Sequence, residues 1–340
     1  MAADDVVGRR LAPHGGLVPK TSGEVSEESR HIVDGVEQGD RRSIARAITR
    51  VENETADAPA ILSTLYARVG AAYRIGITGP PGAGKSTLTN KLARLYRDQG
   101  KKVGIIAVDP TSPFTGGALL GDRVRMSEVE LDDGVFIRSM ASRGSMGGLS
   151  KKAIEAGDVL DASGKDVVIF ETVGVGQSEL DIAGAADTTV VVLVPESGDS
   201  IQAMKAGLME IADFFVLNKA DRAGADQAAT SIQMVLHFRM NNGWAPEVLK
   251  TVASEGIGIA EVASKIQQHR SFLEEGDRLK ARRRARLEDR VRMLVADRLR
   301  TDFWTTERNA LLSRRMAEVM KMNLTPYDLA RELLRDFHNS

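Results

Sequence analysis

Seven short runs of apolar, mostly β-branched residues mark the middle of the chain and predict β-strands. They lie at residues 73–78, 102–108, 135–138, 166–170, 188–194, 213–217 and 247–252. Stretches in which apolar residues recur with helical spacing separate most of these runs, at residues 85–99, 149–160 and 227–240. Near-continuous apolar strands that alternate with helices indicate a sheet covered on both faces. We therefore predict an α/β fold with a doubly wound, mostly parallel sheet.

Sequence without strand signals flanks this alternating region, residues 71–270, on both sides. Residues 1–30 are rich in Gly, Pro, Ser, Glu and Asp without a hydrophobic period, which predicts a mobile tail. Residues 31–70 contain stretches of helical spacing and predict an N-terminal helical extension. Residues 271–340 predict a charged helical arm, in which Thr325 caps and Pro326 opens the last helix.

The composition excludes several classes of protein. Among 340 residues, 46 Lys and Arg stand against 47 Asp and Glu, so the net charge of −1 removes the usual electrostatic basis for binding nucleic acid. No apolar run approaches the roughly 20 residues that span a membrane, and the first residues carry acid instead of an apolar leader. Cysteine is absent, which rules out disulfides and thiolate metal sites. We expect a cytoplasmic protein that binds neither nucleic acid nor membrane.

A glycine-rich segment follows the first predicted strand and precedes a predicted helix. It fits the pattern G-x-x-x-x-G-K-[ST] and consists of Gly79, Pro80, Pro81, Gly82, Ala83, Gly84, Lys85, Ser86 and Thr87. Glycines allow the backbone to wrap around a phosphate with its N–H groups pointing inward, and the helix N-terminus adds positive potential. We predict that Lys85 reaches the β- and γ-phosphates of a nucleotide and that the Ser86 hydroxyl is a ligand of Mg²⁺.

Acidic residues stand near the ends of neighbouring predicted strands, where a magnesium site needs them. Asp109 ends the second strand, Glu171 ends the fourth, and Asp122 lies in a Gly-rich loop. Parallel strands bring their carboxyl ends to the edge of the sheet that also carries the phosphate loop. Because Mg²⁺ prefers carboxylates and water, we predict that Asp109, Asp122 and Glu171 join Ser86 as ligands. A helix cap or a solvated carboxylate is the alternative for each acid.

A second polar segment, Asn218, Lys219, Ala220 and Asp221, follows the sixth predicted strand. A buried carboxylate at Asp221 accepts hydrogen bonds from the ring N–H and the amine of guanine, whereas adenine presents an acceptor at that ring position. We predict that Asn218 bonds the base edge, that the Lys219 stem covers the ring face, and that GTP and GDP are favoured over ATP. The last predicted strand leads into Val252, Ala253 and Ser254, where a backbone N–H meets the guanine carbonyl oxygen.

These motifs resemble those of the MeaB/ArgK family of P-loop GTPases, which includes the methylmalonic aciduria type A protein. The matching stretches are the phosphate loop and residues 108–112, 115–125, 142–148, 171–179 and 218–221. The resemblance covers most of the chain from about residue 30 to about residue 270. Val252 departs from it, since many relatives have serine there, and residues after 276 match less clearly.

The resemblance implies a SIMIBI-type P-loop GTPase fold and a GTP hydrolase that acts as a chaperone. Its client is an adenosylcobalamin-dependent acyl-CoA mutase, such as methylmalonyl-CoA mutase. The family couples its nucleotide state to loading, protection or reactivation of that cofactor. Family Mg²⁺ ligands fall on Ser86, Asp109, Asp122 and Glu171, and residues 174–187 match a segment that contacts the mutase. Family members are commonly homodimers held partly by C-terminal helices.

Catalysis of hydrolysis needs an oriented water and positive charge near the γ-phosphate. Lys85 and Mg²⁺, held in part by Glu171, supply some of that charge. Gln177 is our candidate for orienting the water, with a polar residue that takes no part as the alternative. One arginine of the set Arg123, Arg125, Arg138 and Arg143 is a candidate finger, against a structural or solvated arginine. We expect slow intrinsic hydrolysis that a partner accelerates.

Three other functions are alternatives. A small-molecule or amino-acid kinase of the ArgK type would use the same phosphate loop. An RNA-linked GTPase would use the basic run at residues 278–286, although acids at helical spacing after it favour a solvated helix face. A nickel chaperone is disfavoured because the five histidines are scattered without ligand spacing.

Overall fold

The computed structural model describes residues 26–110, 129, 131–142, 151–172, 178–195, 206–237 and 243–338, and all statements below concern these residues. Most of the predicted tail, residues 1–30, lies outside them. The first helix begins at Glu27 and not at residue 31, because the Ser26 hydroxyl accepts a hydrogen bond from the backbone N–H of Ser29 and caps it.

Seven parallel strands form one sheet in the order β3-β2-β4-β1-β5-β6-β7. They are β1 Tyr73–Thr78, β2 Val103–Pro110, β3 Val135–Ser142, β4 Val167–Thr172, β5 Thr188–Leu193, β6 Phe214–Asn218 and β7 Val248–Thr251. The predicted α/β class with its parallel sheet is confirmed. β2 and β3 extend beyond their apolar runs because their backbones stay paired as far as Pro110 and Ser142.

Helices separate most of the strands and flank the sheet-forming region on both sides. They are α1 Glu27–Glu37, α2 Arg41–Glu52, α3 Ala58–Leu65, α4 Lys85–Asp98, α5 Lys151–Ala162, α6 Ser178–Asp181, α7 Ala206–Ile211, α8 Ala225–His237, α9 Ile259–Glu274, α10 Arg278–Phe303, α11 Thr306–Met320 and α12 Pro326–His338. Among the described residues, no helix is both long and apolar enough to cross a lipid bilayer.

The N-terminal helices share one apolar core with α5 and the neighbouring strands. Ile44 and Ile48 of α2 are fully buried in this core together with Phe170 of β4. Full burial of a large apolar side chain stabilises a fold by about 1.5–3 kcal/mol. The extension is therefore packed into the same core as the sheet.

A buried ionic group fixes the segment that enters β1. The Asp161 carboxylate of α5 accepts hydrogen bonds from the backbone N–H groups of Gly70 at 2.8 Å and Ala72 at 2.9 Å. Arg74 of β1 donates to Asp158 at 2.7 Å and to Asp161 at 3.1 Å. Since β1 leads directly into the phosphate loop, these contacts set the starting point of the candidate site.

The chain divides into two compact units, residues 1–272 and 273–340. In the second unit, Arg315 of α11 pairs with Glu332 of α12 at 3.0 Å, and the rings of Phe303 and Phe337 meet edge to face at 5.4 Å. The Thr325 hydroxyl accepts a hydrogen bond from the backbone N–H of Asp328 at 3.1 Å, as the predicted cap of α12 requires.

Candidate functional site

The phosphate loop connects the central strand β1 to α4, and glycines shape it at two points of close approach. Gly79 has φ 136°, and a Cβ there would lie 2.0 Å from the Val192 carbonyl oxygen of β5. Gly84 has φ 89° at the start of α4, and a Cβ there would lie 2.2 Å from Asn218 Nδ2. Only glycine fits such positions, so the loop packs tightly against β5 and Asn218. The predicted strand–loop–helix context is present.

Lys85 lies over the loop that precedes it. Its ammonium group donates hydrogen bonds to the carbonyl oxygens of Gly79 at 2.8 Å and Pro80 at 2.9 Å, and the side chain is buried. The cation is therefore held where phosphate oxygens would approach the loop, next to the N-terminus of α4.

Ser86 and Glu171 meet at the carboxyl edge of the sheet. The Ser86 hydroxyl donates to Glu171 Oε1 at 2.5 Å, and Glu171, near the end of β4, is 2% exposed. A serine hydroxyl and a buried carboxylate are both oxygen ligands of the kind that Mg²⁺ takes, so the donor set fits the metal. The structure brings these two predicted ligands together.

The other two predicted ligands are not placed. The backbone of Asp109 belongs to β2, which pairs with β4 so that Ala107 lies opposite Glu171. Asp109 thus follows two positions later on a neighbouring strand, toward the same edge. Its side chain and all of Asp122 lie outside the described residues, as does Gln177.

Asn218 forms a bridge between two loops of the site. Its Nδ2 donates to the carbonyl oxygen of Ala83 in the phosphate loop at 2.8 Å. Its Oδ1 accepts from the Thr251 hydroxyl and from the backbone N–H of Ala253, both at 3.0 Å. These bonds were not predicted from the sequence, which indicated only a contact of this amide with the base edge, because nothing in the motif shows which backbone groups the fold brings next to Asn218.

Lys219 and Asp221 occupy the turn that follows β6. Lys219 has φ 57°, a left-handed conformation that is uncommon outside glycine. The turn is fixed by the hydrogen bond from Ala220 N–H to the Thr251 carbonyl at 3.0 Å. Asp221, predicted to be buried, is exposed, because the chain has already left the sheet at this residue. Its carboxylate is therefore on the surface.

The loop after β7 lies beside this turn. Val252 and Ile257 form an antiparallel bridge, and Ser254 between them is exposed. The backbone N–H of Ala253 already donates to Asn218. The predicted contact of a backbone N–H of this loop with a guanine base stays a prediction.

Arg138, one of the candidate fingers, is on the edge strand β3 and pairs with Glu52 of α2 at 2.5 Å. It also donates to the Thr49 hydroxyl at 3.3 Å. Both partners belong to the N-terminal extension, so the structure favours the structural reading of this residue. Arg123, Arg125 and Arg143 lie outside the described residues.

A central strand that runs into a glycine loop, a buried lysine over that loop, and a polar turn after β6 define a P-loop nucleotide-binding protein. Similarity to a protein-family model agrees with this class and identifies the family within it. Residues 44–308 match the model described as methylmalonyl Co-A mutase-associated GTPase MeaB. The chain belongs to this family, and it is a GTPase.

Individual relatives agree with the family. A putative GTPase of Pyrococcus abyssi is 48% identical over 309 residues, which cover 90% of this chain and 95% of the relative. The mitochondrial methylmalonic aciduria type A homolog of Mus musculus is 32% identical over 356 residues, covering 97% and 85% of the two chains. A solved structure, a LAO/AO transport system kinase, aligns with a TM-score of 0.70 at 29% identity and covers 94% of this chain and 100% of that chain.

Proposed function

We propose that this GTPase is Mg²⁺-dependent and serves as a chaperone for an adenosylcobalamin-dependent acyl-CoA mutase. The observation that carries the proposal is the family match over residues 44–308, whose description names a mutase-associated GTPase. GTP hydrolysis would gate the loading, protection or reactivation of the mutase's cofactor.

The site supports the hydrolysis half of this proposal. Lys85 neutralises charge on the β- and γ-phosphates, and the loop N–H groups bind their oxygens. Ser86 and Glu171, with Asp109 and Asp122, would hold Mg²⁺. When bound, this ion would stabilise the negative charge on the phosphoryl oxygens. Asp221 selects guanine, and Asn218 keeps the phosphate loop and the loop after β7 in register. Gln177 stays our candidate for orienting water.

The helical arm supports a second part of the proposal, a homodimer. Among the residues that the structure describes, none of helix α10 is buried, and the helix exposes apolar side chains at helical spacing, namely Leu287, Val291, Leu294, Val295 and Leu299. We propose residues 71–270 as the GTPase domain, residues 31–70 as its extension and residues 271–340 as the dimerisation arm. Light scattering that gives the mass of a single 36.7 kDa chain would contradict the dimer.

The chaperone proposal is tested with candidate mutases. We expect the mutase to be retained on the immobilised GTPase to different extents with GDP and with a GTP analogue, and to accelerate GTP hydrolysis. Unchanged turnover at saturating mutase would contradict the proposal. Phosphate that appears on an amino acid or another acceptor, and not in solution, would instead support a kinase.

A further inference from the structure

Two threonine hydroxyls meet where β1 and β4 end, at the edge of the sheet that carries the phosphate loop. The Thr172 hydroxyl donates to Thr78 Oγ1 at 2.9 Å, and both side chains are fully buried. The backbone pairing of these strands extends as far as Ile77 opposite Glu171. The hydroxyl pair therefore connects β1 and β4 one position beyond that pairing.

Each threonine is adjacent in sequence to a group of the site. Thr78 precedes Gly79 of the phosphate loop, and Thr172 follows Glu171. The Glu171 carboxylate in turn lies 2.5 Å from the Ser86 hydroxyl at the start of α4. Because Thr172 and Glu171 are consecutive residues of β4, a shift of the end of this strand away from β1 moves both of them together.

Packing alone does not require threonine at either position. Valine has nearly the same shape and suits a buried strand at least as well. A buried hydroxyl is costly unless it is hydrogen-bonded, and here the Thr172 hydroxyl donates to the Thr78 hydroxyl oxygen, which accepts. Two valines would fill the same space without the cost, so the bond itself is the property that the pair provides.

We propose that Thr78 and Thr172 are positioning residues for GTP hydrolysis. Their hydrogen bond holds the end of β4 against the end of β1 and so keeps the Glu171 carboxylate at the distance from Ser86 that the metal site needs. This inference rests on the proposed Mg²⁺ site, and it assigns the two hydroxyls a function in addition to the roles proposed above for Ser86 and Glu171.

The test uses the double variant T78V/T172V, which removes the bond without leaving one buried hydroxyl unpaired. T172S keeps the hydroxyl that donates. T189V is a matched control, because Thr189 is equally buried but lies near the N-terminal end of β5, away from the phosphate loop. Three properties are measured on the full-length protein: thermal unfolding, kcat and KM for GTP, and the release rate of a fluorescent GDP with Mg²⁺ or with EDTA.

We expect T78V/T172V to unfold near the wild-type temperature, while kcat falls about tenfold and KM changes little. GDP release should be several-fold faster with Mg²⁺ and unchanged in EDTA. T172S and T189V should resemble the wild type in all three properties.

Two results would overturn the proposal. Wild-type kcat and release in T78V/T172V would show that the bond serves stability alone, and equal acceleration of release with and without Mg²⁺ would show that it shapes only the phosphate loop. If the proposed metal site is wrong, the wild-type protein itself will release GDP at the same rate with Mg²⁺ and with EDTA. That result would contradict both the metal site and the positioning role of the two threonines.

Discussion

The hydrogen bonds of Asn218 allow the loss of nucleotide affinity in an Asn218 variant to be calculated. Replacing Asn218 by Ala removes three hydrogen bonds of 2.8 to 3.0 Å from a side chain that is only 3% exposed. At about 1 kcal/mol net for each bond, the total is about 3 kcal/mol. Two of the three bonds end on the loops themselves, at Ala83 and Ala253, so about 2 kcal/mol should appear as lost nucleotide affinity. This corresponds to a roughly 30-fold weaker Kd for GDP.

Isothermal titration calorimetry with GDP measures this loss, and thermal unfolding measures the remainder. Thr251→Val is the matched variant, because it removes one bond to Asn218 Oδ1 and no group expected to meet the base. We expect it to weaken GDP about fivefold at most. Asn218→Ala with wild-type GDP affinity would refute the bridge.

Three further predictions concern stability and pH. Asp161→Asn should lower the free energy of unfolding by about 3 kcal/mol, because an amide keeps only one of the two oxygens that accept from the Gly70 and Ala72 N–H groups, and a urea titration with an unchanged midpoint would contradict this. His269→Phe should lower it by about 1 kcal/mol in the same titration, because the buried Thr188 hydroxyl loses its bond to His269 Nδ1 at 2.8 Å but keeps its bond to the Tyr73 hydroxyl at 2.6 Å; an unchanged midpoint would contradict this. Burial lowers the pKa of Lys165 to about 8 from the ordinary 10.5, aided by repulsion from nearby cations. Between these values the unfolded chain binds more protons than the folded one, so stability should rise with pH from 8 to 10.5 relative to Lys165→Met; parallel melting-temperature profiles of the two proteins would count against it.

The sequence was informative wherever the determinant is local. Apolar runs of the right length placed all seven strands, and the spacing of Gly79, Gly84 and Lys85 placed the phosphate loop between β1 and α4. The cap at Thr325 was predicted for the same reason, since a threonine followed by proline at the first helical position determines a helix start locally.

Contacts between residues that are far apart in the sequence could not be predicted from local patterns. The partners of Asn218 are 135 and 33 to 35 positions away, and only the folded sheet brings them together. Burial of Asp221 was inferred from the chemistry of the base, but exposure depends on where the chain leaves β6. The ion pair of Arg138 could not be predicted for the same reason, because its partner Glu52 is in another element 86 positions away.

We propose that the carboxylate of Asp221 selects guanine, and the variant Asp221→Asn is the sharpest test of this role. An amide accepts the ring N–H but donates where guanine also donates, whereas xanthine presents a carbonyl oxygen at that position. We expect kcat/KM for GTP to fall by about 100-fold or more, and XTP to become the better substrate, with thermal stability unchanged because residue 221 is exposed. An Asp221→Asn protein that still hydrolyses GTP at the wild-type rate and ignores XTP would contradict the account.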